Sequence, residues 1–196
     1  MTAFEELPPQ EPSEPEVATE SSSASFGSWL ADLLETVLLA AVLFVGINLV
    51  SARIRVESIS MEPTLKPGEF LIVNKLAYRF GEMHRGDVVV FYYPRDPSQR
   101  YIKRLIGLPG DTVEVADGQV FINGQPLDEP YINAPPAYMG TWQVPEGGIF
   151  VLGDNRNRSA DSHVWGMVPL DYVIGKAIFV YWPLDRFGTV PGHPSF

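Results

Sequence analysis

Residues 87–124 read DVVVFYYPRDPSQRYIKRLIGLPGDTVEVADGQVFING, and this stretch decides the fold. Four short runs, Asp87–Tyr93, Arg100–Ile106, Thr112–Val115 and Val120–Ile122, are rich in β-branched and aromatic residues and are broken by Pro and Gly. Such side chains lose rotamer freedom in a helix but pack well on a pleated surface, so the runs predict strands. Asp117-Gly118 and Asn123-Gly124 stand between runs, and both dipeptides accept the positive φ that a two-residue hairpin turn demands. The pattern continues outward through Phe70–Asn74, Ile149–Leu152 and Gly175–Tyr181. No internal repeat and no long helical periodicity interrupts it, so residues 52–196 are expected to form one mainly β domain.

Upstream the composition changes twice. Residues 1–28 are rich in Glu, Pro and Ser with almost no large apolar residues, too few to offset the entropy of ordering, and are expected to be a disordered acidic tail. This segment begins acidic and lacks the basic start of a signal peptide. Residues 29–50 read WLADLLETVLLAAVLFVGINLV, and as a helix they extend about 33 Å, enough to cross a bilayer core. The expected anchor is 29–51, with Asp32 and Glu35 near an interfacial helix start; an amphipathic or buried helix is the alternative, since the strictly apolar part is only Val37–Val45. No Lys or Arg precedes the span, whereas Arg53 and Arg55 follow it, so counting positive charges would leave the β domain in the cytoplasm.

Composition excludes several functions. With no cysteine there is no disulfide, thiolate catalysis or cysteine metal ligand. A net charge of −10 argues against a nucleic-acid partner. His84, His163 and His193 are scattered without ligand spacing, so no metal is expected and all three read as surface residues. Gly107-Leu108-Pro109-Gly110-Asp111 lacks the Lys-Ser/Thr ending of a phosphate loop and reads as a turn. No cofactor is implied.

Ser58-Ile59-Ser60-Met61-Glu62-Pro63-Thr64-Leu65 and Tyr101-Ile102-Lys103-Arg104 pair a candidate nucleophile, Ser60, with a candidate base, Lys103. A serine hydroxyl attacks only once its proton has somewhere to go, and a lysine accepts that proton only when burial has neutralised its amine. Lys103 lies in an apolar strand-like run, which suits that purpose. Read separately, the serine is equally a turn or cap residue and the lysine a solvent-facing one.

With the later block Gly153-Asp154-Asn155-Arg156-Asn157-Arg158-Ser159-Ala160-Asp161-Ser162, the order of motifs resembles the type I signal peptidases, membrane-anchored serine endopeptidases, over residues 29–183. The resemblance implies coiled antiparallel sheets forming a catalytic core, a short β insertion at about 113–146, and one N-terminal transmembrane helix. It makes Ser60 the nucleophile and Lys103 the general base. Ser58 would help hold the oxyanion, Ser159 would hydrogen-bond and orient the lysine amine, Asp154 would pair with Arg104, and Asp161 would brace the site. Asp161 is therefore not the third member of a Ser-His-Asp triad, and His163 stands where some relatives have arginine.

The same resemblance implies cleavage of signal peptides from preproteins at A-x-A-like sites, with Val56, Glu57, Met61, Leu65, Tyr101 and Ile102 lining the substrate pockets. A substrate strand would lie beside the Arg55–Ser58 and Tyr101–Lys103 edges. Partners would be signal peptides, membrane lipid and the nearby export translocon. The domain would face the extracytoplasmic side of the plasma membrane, against the positive-charge count. A self-cleaving repressor with the same Ser and Lys chemistry would need a DNA-binding unit in place of the acidic tail and apolar span. An inactive membrane-anchored binding module would not need an intact Ser60, Lys103 and Ser159.

Overall fold

The computed structural model describes residues 26–192. The expected tail lies outside them apart from its last three residues, and so does His193. Helix α1 runs Phe26–Val50, 25 residues that are long and apolar enough to cross a membrane. Its polar side chains do not break it, because they bond back one turn along the helix. Thr36 Oγ1 donates to the Asp32 carbonyl at 2.8 Å and Asn48 Nδ2 to the Phe44 carbonyl at 2.8 Å, which satisfies them without solvent. The helix already includes residues 26–28, ahead of the expected anchor, and the rings of Phe26 and Trp29 stack at 6.0 Å.

The rest of the chain is built from antiparallel strands. Chain order is β1 Ser51–Arg55, β2 Phe70–Asn74, β3 Val88–Tyr93, β4 Asp96–Gly107, β5 Thr112–Ala116, β6 Gln119–Ile122, β7 Gln125–Pro126, β8 Gly140–Gln143, β9 Gly148–Leu152, β10 Val168–Pro169, β11 Val173–Trp182 and β12 Gly188–Thr189. Two single-turn helices, α2 Ala77–Phe80 and α3 Ser162–Trp165, lie in the connections. The larger sheet has the order β1-β2-β11-β3-β4-β9-β10 with β12 on β11, and a smaller one has the order β7-β6-β5-β8. The sheets are mainly β and antiparallel, as the runs of residues 87–124 predict.

Local chemistry explains the small sheet. Asp117 (φ 50°) and Gly118 (φ 77°) close one hairpin, Asn123 (φ 53°) and Gly124 (φ 80°) the next, the left-handed pairs of a type I′ turn. Three apolar clusters hold the strands. One gathers Val56, Met61, Leu65, Leu71, Val73 and Ile102 under β1, β2 and the 3-10 turn Ile59–Met61. A second joins the two sheets through Ile106, Val113, Val115, Phe150 and Leu152. The third packs Val89, Phe91, Leu105 and Val151 around Trp165. At Gly107 the end of β4 passes so close to the small sheet that a Cβ would meet Val113 Cγ2 at 2.6 Å and Val144 Cγ2 at 2.9 Å. Only glycine fits there.

β4 is the strand on which the site depends. β3 covers one of its edges from Asp96 to Arg104, but β9 pairs with the other only from Arg104 onward. The Tyr101–Lys103 backbone therefore keeps one open edge.

Candidate active site

The site is assembled from two anchors. Ser58 is extended (φ −113°, ψ 159°) and leads into a tight 3-10 turn, Ile59–Met61. Met61 and Leu65 are fully buried in the first apolar cluster, and the Leu65 amide donates to the Met61 carbonyl at 2.8 Å, so the turn is pinned to the core from below. From above, the Asn155 amide donates to the Ser60 carbonyl at 3.0 Å and Asn155 Nδ2 to the Ile59 carbonyl at 3.1 Å. Ser60 is thus held on both sides with its hydroxyl turned towards β4.

Lys103 Nζ lies 2.6 Å from Ser60 Oγ and 3.0 Å from the Ile102 carbonyl. Both side chains are nearly sealed, with Lys103 4% and Ser60 6% exposed. Ser58 Oγ is 3.1 Å from Ser60 Oγ. Burial disfavours the ammonium and brings the Lys103 pKa down to about 8, although the carboxylates of Asp161 and Asp154 push it upward. The neighbouring Arg104 has its charge matched at close range by Asp154.

That match is a wholly buried bidentate pair, Arg104 Nε to Asp154 Oδ1 at 2.8 Å and Nη2 to Oδ2 at 2.6 Å. Arg104 Nη1 also donates to the Gly86 carbonyl at 2.7 Å, and its guanidinium stacks 4.1 Å from the Tyr131 ring. Asp161 accepts the Gly153 amide at 2.9 Å and faces His163 Nδ1 at 2.5 Å. His163 is not the surface residue expected: its side chain is only 16% exposed, and its ring stacks on Tyr138 at 3.8 Å. The hydrogen bonds of the Ser60 hydroxyl are with Lys103 and Ser58, and the ring nitrogen of His163 pairs with Asp161 instead.

Ser159 differs from expectation in one respect. Its Oγ is buried without a hydrogen-bond partner, and Lys103 Nζ bonds Ser60 and the Ile102 carbonyl instead. It packs against Gly153, where a Cβ would meet Ser159 Oγ at 2.2 Å and the Ser60 carbonyl oxygen at 2.4 Å. Ser159 and the Ile59–Met61 turn are therefore brought together across a glycine.

A groove of about 570 Å³ opens beside the pair, walled on one side by residues 53–60 and on the other by 98–103. Val56, Glu57, Tyr101 and Ile102 line it; Met61 and Leu65 lie behind the wall in the core, because the turn's buried side faces the first cluster. Three further residues escaped the sequence reading. Arg156 donates to Glu129 at 2.8 and 2.5 Å and to the Gly153 carbonyl at 3.0 Å, and the Tyr131 hydroxyl donates to Glu129 at 2.9 Å. Arg156 sits in the quoted block, but its partner is 27 residues away, so no local signal links them. Among the described residues no His, Asp or Glu cluster suits a metal.

A family model described as Signal peptidase, peptidase S26, matches residues 29–182. The chain belongs to this signal peptidase family. It is accordingly a hydrolase of the serine endopeptidase class. It is 43% identical over 194 residues to Signal peptidase I of Leptolyngbya laminosa, covering 94% of this chain and 96% of that protein. It is 44% identical to Probable signal peptidase I-2 of Synechocystis sp., over 89% of this chain and 83% of that protein. Signal peptidase IB of Staphylococcus aureus is 37% identical over 80% of this chain and 93% of its own. A crystal structure of a signal peptidase I from Enterococcus faecalis matches at 41% identity with a TM-score of 0.45, covering 48% of this chain and 96% of that chain.

Proposed function

We propose that this signal peptidase family member is a membrane-anchored endopeptidase that cuts signal peptides from exported preproteins at A-x-A-like sites, with Ser60 as nucleophile and Lys103 as general base. The observation that carries the reading is the 2.6 Å separation of Lys103 Nζ and Ser60 Oγ, both buried, in the lining of the groove. With its pKa near 8, a useful fraction of the Lys103 amine is neutral at physiological pH.

Neutral Lys103 takes the Ser60 hydroxyl proton as Oγ bonds to the scissile carbonyl carbon. The carbonyl π pair moves onto oxygen, and the Ser60 amide together with the Ser58 hydroxyl donates to that oxyanion; each such donor is typically worth about 3 kcal/mol in the transition state. Collapse re-forms the carbonyl and breaks the C–N bond, with the Lys103 proton passing to the departing amine. A water then loses a proton to Lys103 and attacks the Ser60 ester, and the proton returns to Oγ as the signal peptide leaves. Ser159 and Asp161 act through packing and through Gly153, as positioning residues, and the Arg104–Asp154 pair anchors the base of β4.

Residues preceding the cleaved bond lie as an extra strand between the Arg55–Ser58 and Tyr101–Lys103 edges, in the manner of strand addition. Val56 and Ile102 form shallow apolar walls that suit small side chains. In this reading α1 crosses the bilayer among membrane lipid, residues 1–28 are cytoplasmic, and the β domain works outside the plasma membrane next to the translocon that delivers its substrates.

The test is cleavage of a preprotein by the full chain. Ser60→Ala and Lys103→Ala each abolish it with the fold retained, and the double variant is no worse than either single, because the pair acts as a unit. Substantial turnover by folded Lys103→Ala rejects the dyad.

A further inference from the structure

The groove that ends at Ser60 is far more positive than the chain as a whole. Against a net charge of −10, Arg53, Arg55, Arg100 and Arg158 all line the groove, and Glu57 is the only acidic residue among its lining. All four arginines are exposed. None forms an ion pair with a described residue. Arg55 lies over the Phe70 ring at 5.9 Å, which steadies its stem and leaves its charge unmatched. Asp96, the next carboxylate along β4, is taken up by Ser98 and Gln99. Like charges gathered around a concave site repel one another and focus a positive potential into it, a condition that a carboxylate in the groove relieves.

Placement makes this specific. Four antiparallel pairings separate β1 from β4, so both walls run in the same direction towards the catalytic pair, from Arg53 to Ser60 and from Ser98 to Lys103. Arg100 precedes Lys103 by three residues, and Arg55 and Arg53 precede Ser58 by three and five. At about 3.3 Å per residue they stand roughly 10 to 16 Å from the catalytic end. Arg158, beside Ser159, is at the catalytic end itself. We propose that Arg53, Arg55 and Arg100 are specificity-determining residues that favour preproteins carrying an acidic side chain four to six residues before the cleaved bond. The inference rests on the signal-peptide reading above, since only a substrate strand laid between the two walls brings those positions to the arginines. An anionic lipid headgroup is the competing occupant. Arg100 argues against it, because it stands on the wall opposite Arg53 and Arg55, so the three enclose an extended chain rather than facing one plane.

The experiment compares three peptides that share one A-x-A cleavage site and carry Gln, Glu or Lys at the fifth position before the bond. The full-chain enzyme is assayed in neutral detergent at low and high salt. The expected kcat/KM order is Glu over Gln over Lys, with about three- to tenfold between Glu and Gln at 0.02 M salt, the size of one or two rim charge pairs. The ratio shrinks towards one in 1 M salt, where the screening length falls to about 3 Å. It also shrinks towards one at low salt in Arg53→Gln/Arg55→Gln/Arg100→Gln. A Glu-to-Gln ratio near one in the native enzyme at low salt, or a preference that survives the triple substitution, overturns the proposal while cleavage of the Gln peptide still upholds the signal-peptide reading. Absence of cleavage of all three peptides overturns both. Equal cleavage of the three peptides in detergent, with activity stimulated by phosphatidylglycerol vesicles only when the arginines are present, assigns the rim to lipid and overturns the proposal.

Discussion

Lys103 is held between two opposing needs. The role proposed for it requires its amine to be buried, and burial of a long cationic side chain costs stability. The signs follow from the direction of its shift. With a folded pKa of about 8 against 10.5 for the free group, the folded protein binds fewer protons than the unfolded chain between those values, so this group makes stability rise with pH across that window and leaves a constant penalty below it. Activity follows the folded value: kcat/KM should climb along an acid limb centred near pH 8, and a limb near 10 would show that the amine is solvated. Lys103→Met should be inactive and yet more stable than the parent at pH 7 by about 2 kcal/mol, measured by urea unfolding, because it removes the buried charge and keeps the volume. Loss of stability in Lys103→Met would show that the lysine is stabilising as a cation. Gly153 poses a purely steric constraint on the same site. Gly153→Ala places a Cβ 2.4 Å from the Ser60 carbonyl oxygen and 2.2 Å from Ser159 Oγ. It should lower kcat by at least about a hundredfold with a smaller change in KM, as misplacement of reacting groups by about 1 Å does.

At the scale of elements, Ser60 and Lys103 sit on pieces of chain that owe their positions to others. The Ile59–Met61 turn is pinned by Asn155, Asn155 precedes Arg156, and Arg156 is fixed by Glu129 from the segment between β7 and β8. β4 is fixed at Arg104 by Asp154, just beyond β9. Removing one partner of such a buried pair leaves an uncompensated charge, which is typically destabilising by about 3 to 5 kcal/mol. Asp154→Ala should therefore lower Cm in urea with an unchanged m-value, and the loss should exceed that of Asp111→Ala, whose partner Arg85 is 24% exposed. Equal losses would mean that the Arg104 charge finds water.

For the whole molecule, the property to test is sidedness. Helix α1 is long and apolar enough to span a bilayer and leads without a break into β1, and the two rules for its orientation disagree. Positive residues follow the span, whereas the family reading puts the β domain outside. The positive-charge rule weakens for long translocated domains, so the second orientation is expected. Protease added to right-side-out membrane vesicles should digest the β domain, whereas protease added to inverted vesicles should shorten the chain by no more than its first 25 to 28 residues. The opposite pattern would vindicate the charge count.

Much of this protein is legible in the order of its residues, and the division has a physical cause. Strand positions in residues 70–122 follow from β-branched runs and Asx-Gly turns, because those signals act within a few residues. The long apolar run declares a helix for the same reason. Ser60 and Lys103 are recognisable through their motifs, yet nothing local brings them to 2.6 Å; the packing of β4 against β3 and of Met61 and Leu65 into the first cluster does that. The short strands β1, β7, β8, β10 and β12, the Arg156–Glu129–Tyr131 network, the partial burial of His163 and the retreat of Met61 and Leu65 behind the groove wall were invisible for a common reason. Each is settled by partners that meet only once the sheets have formed. Residue order marks the long strands, the apolar helix and the side chains chemically able to react; which of those side chains lose their water is settled by packing between distant segments, and that desolvation is what lowers the Lys103 pKa.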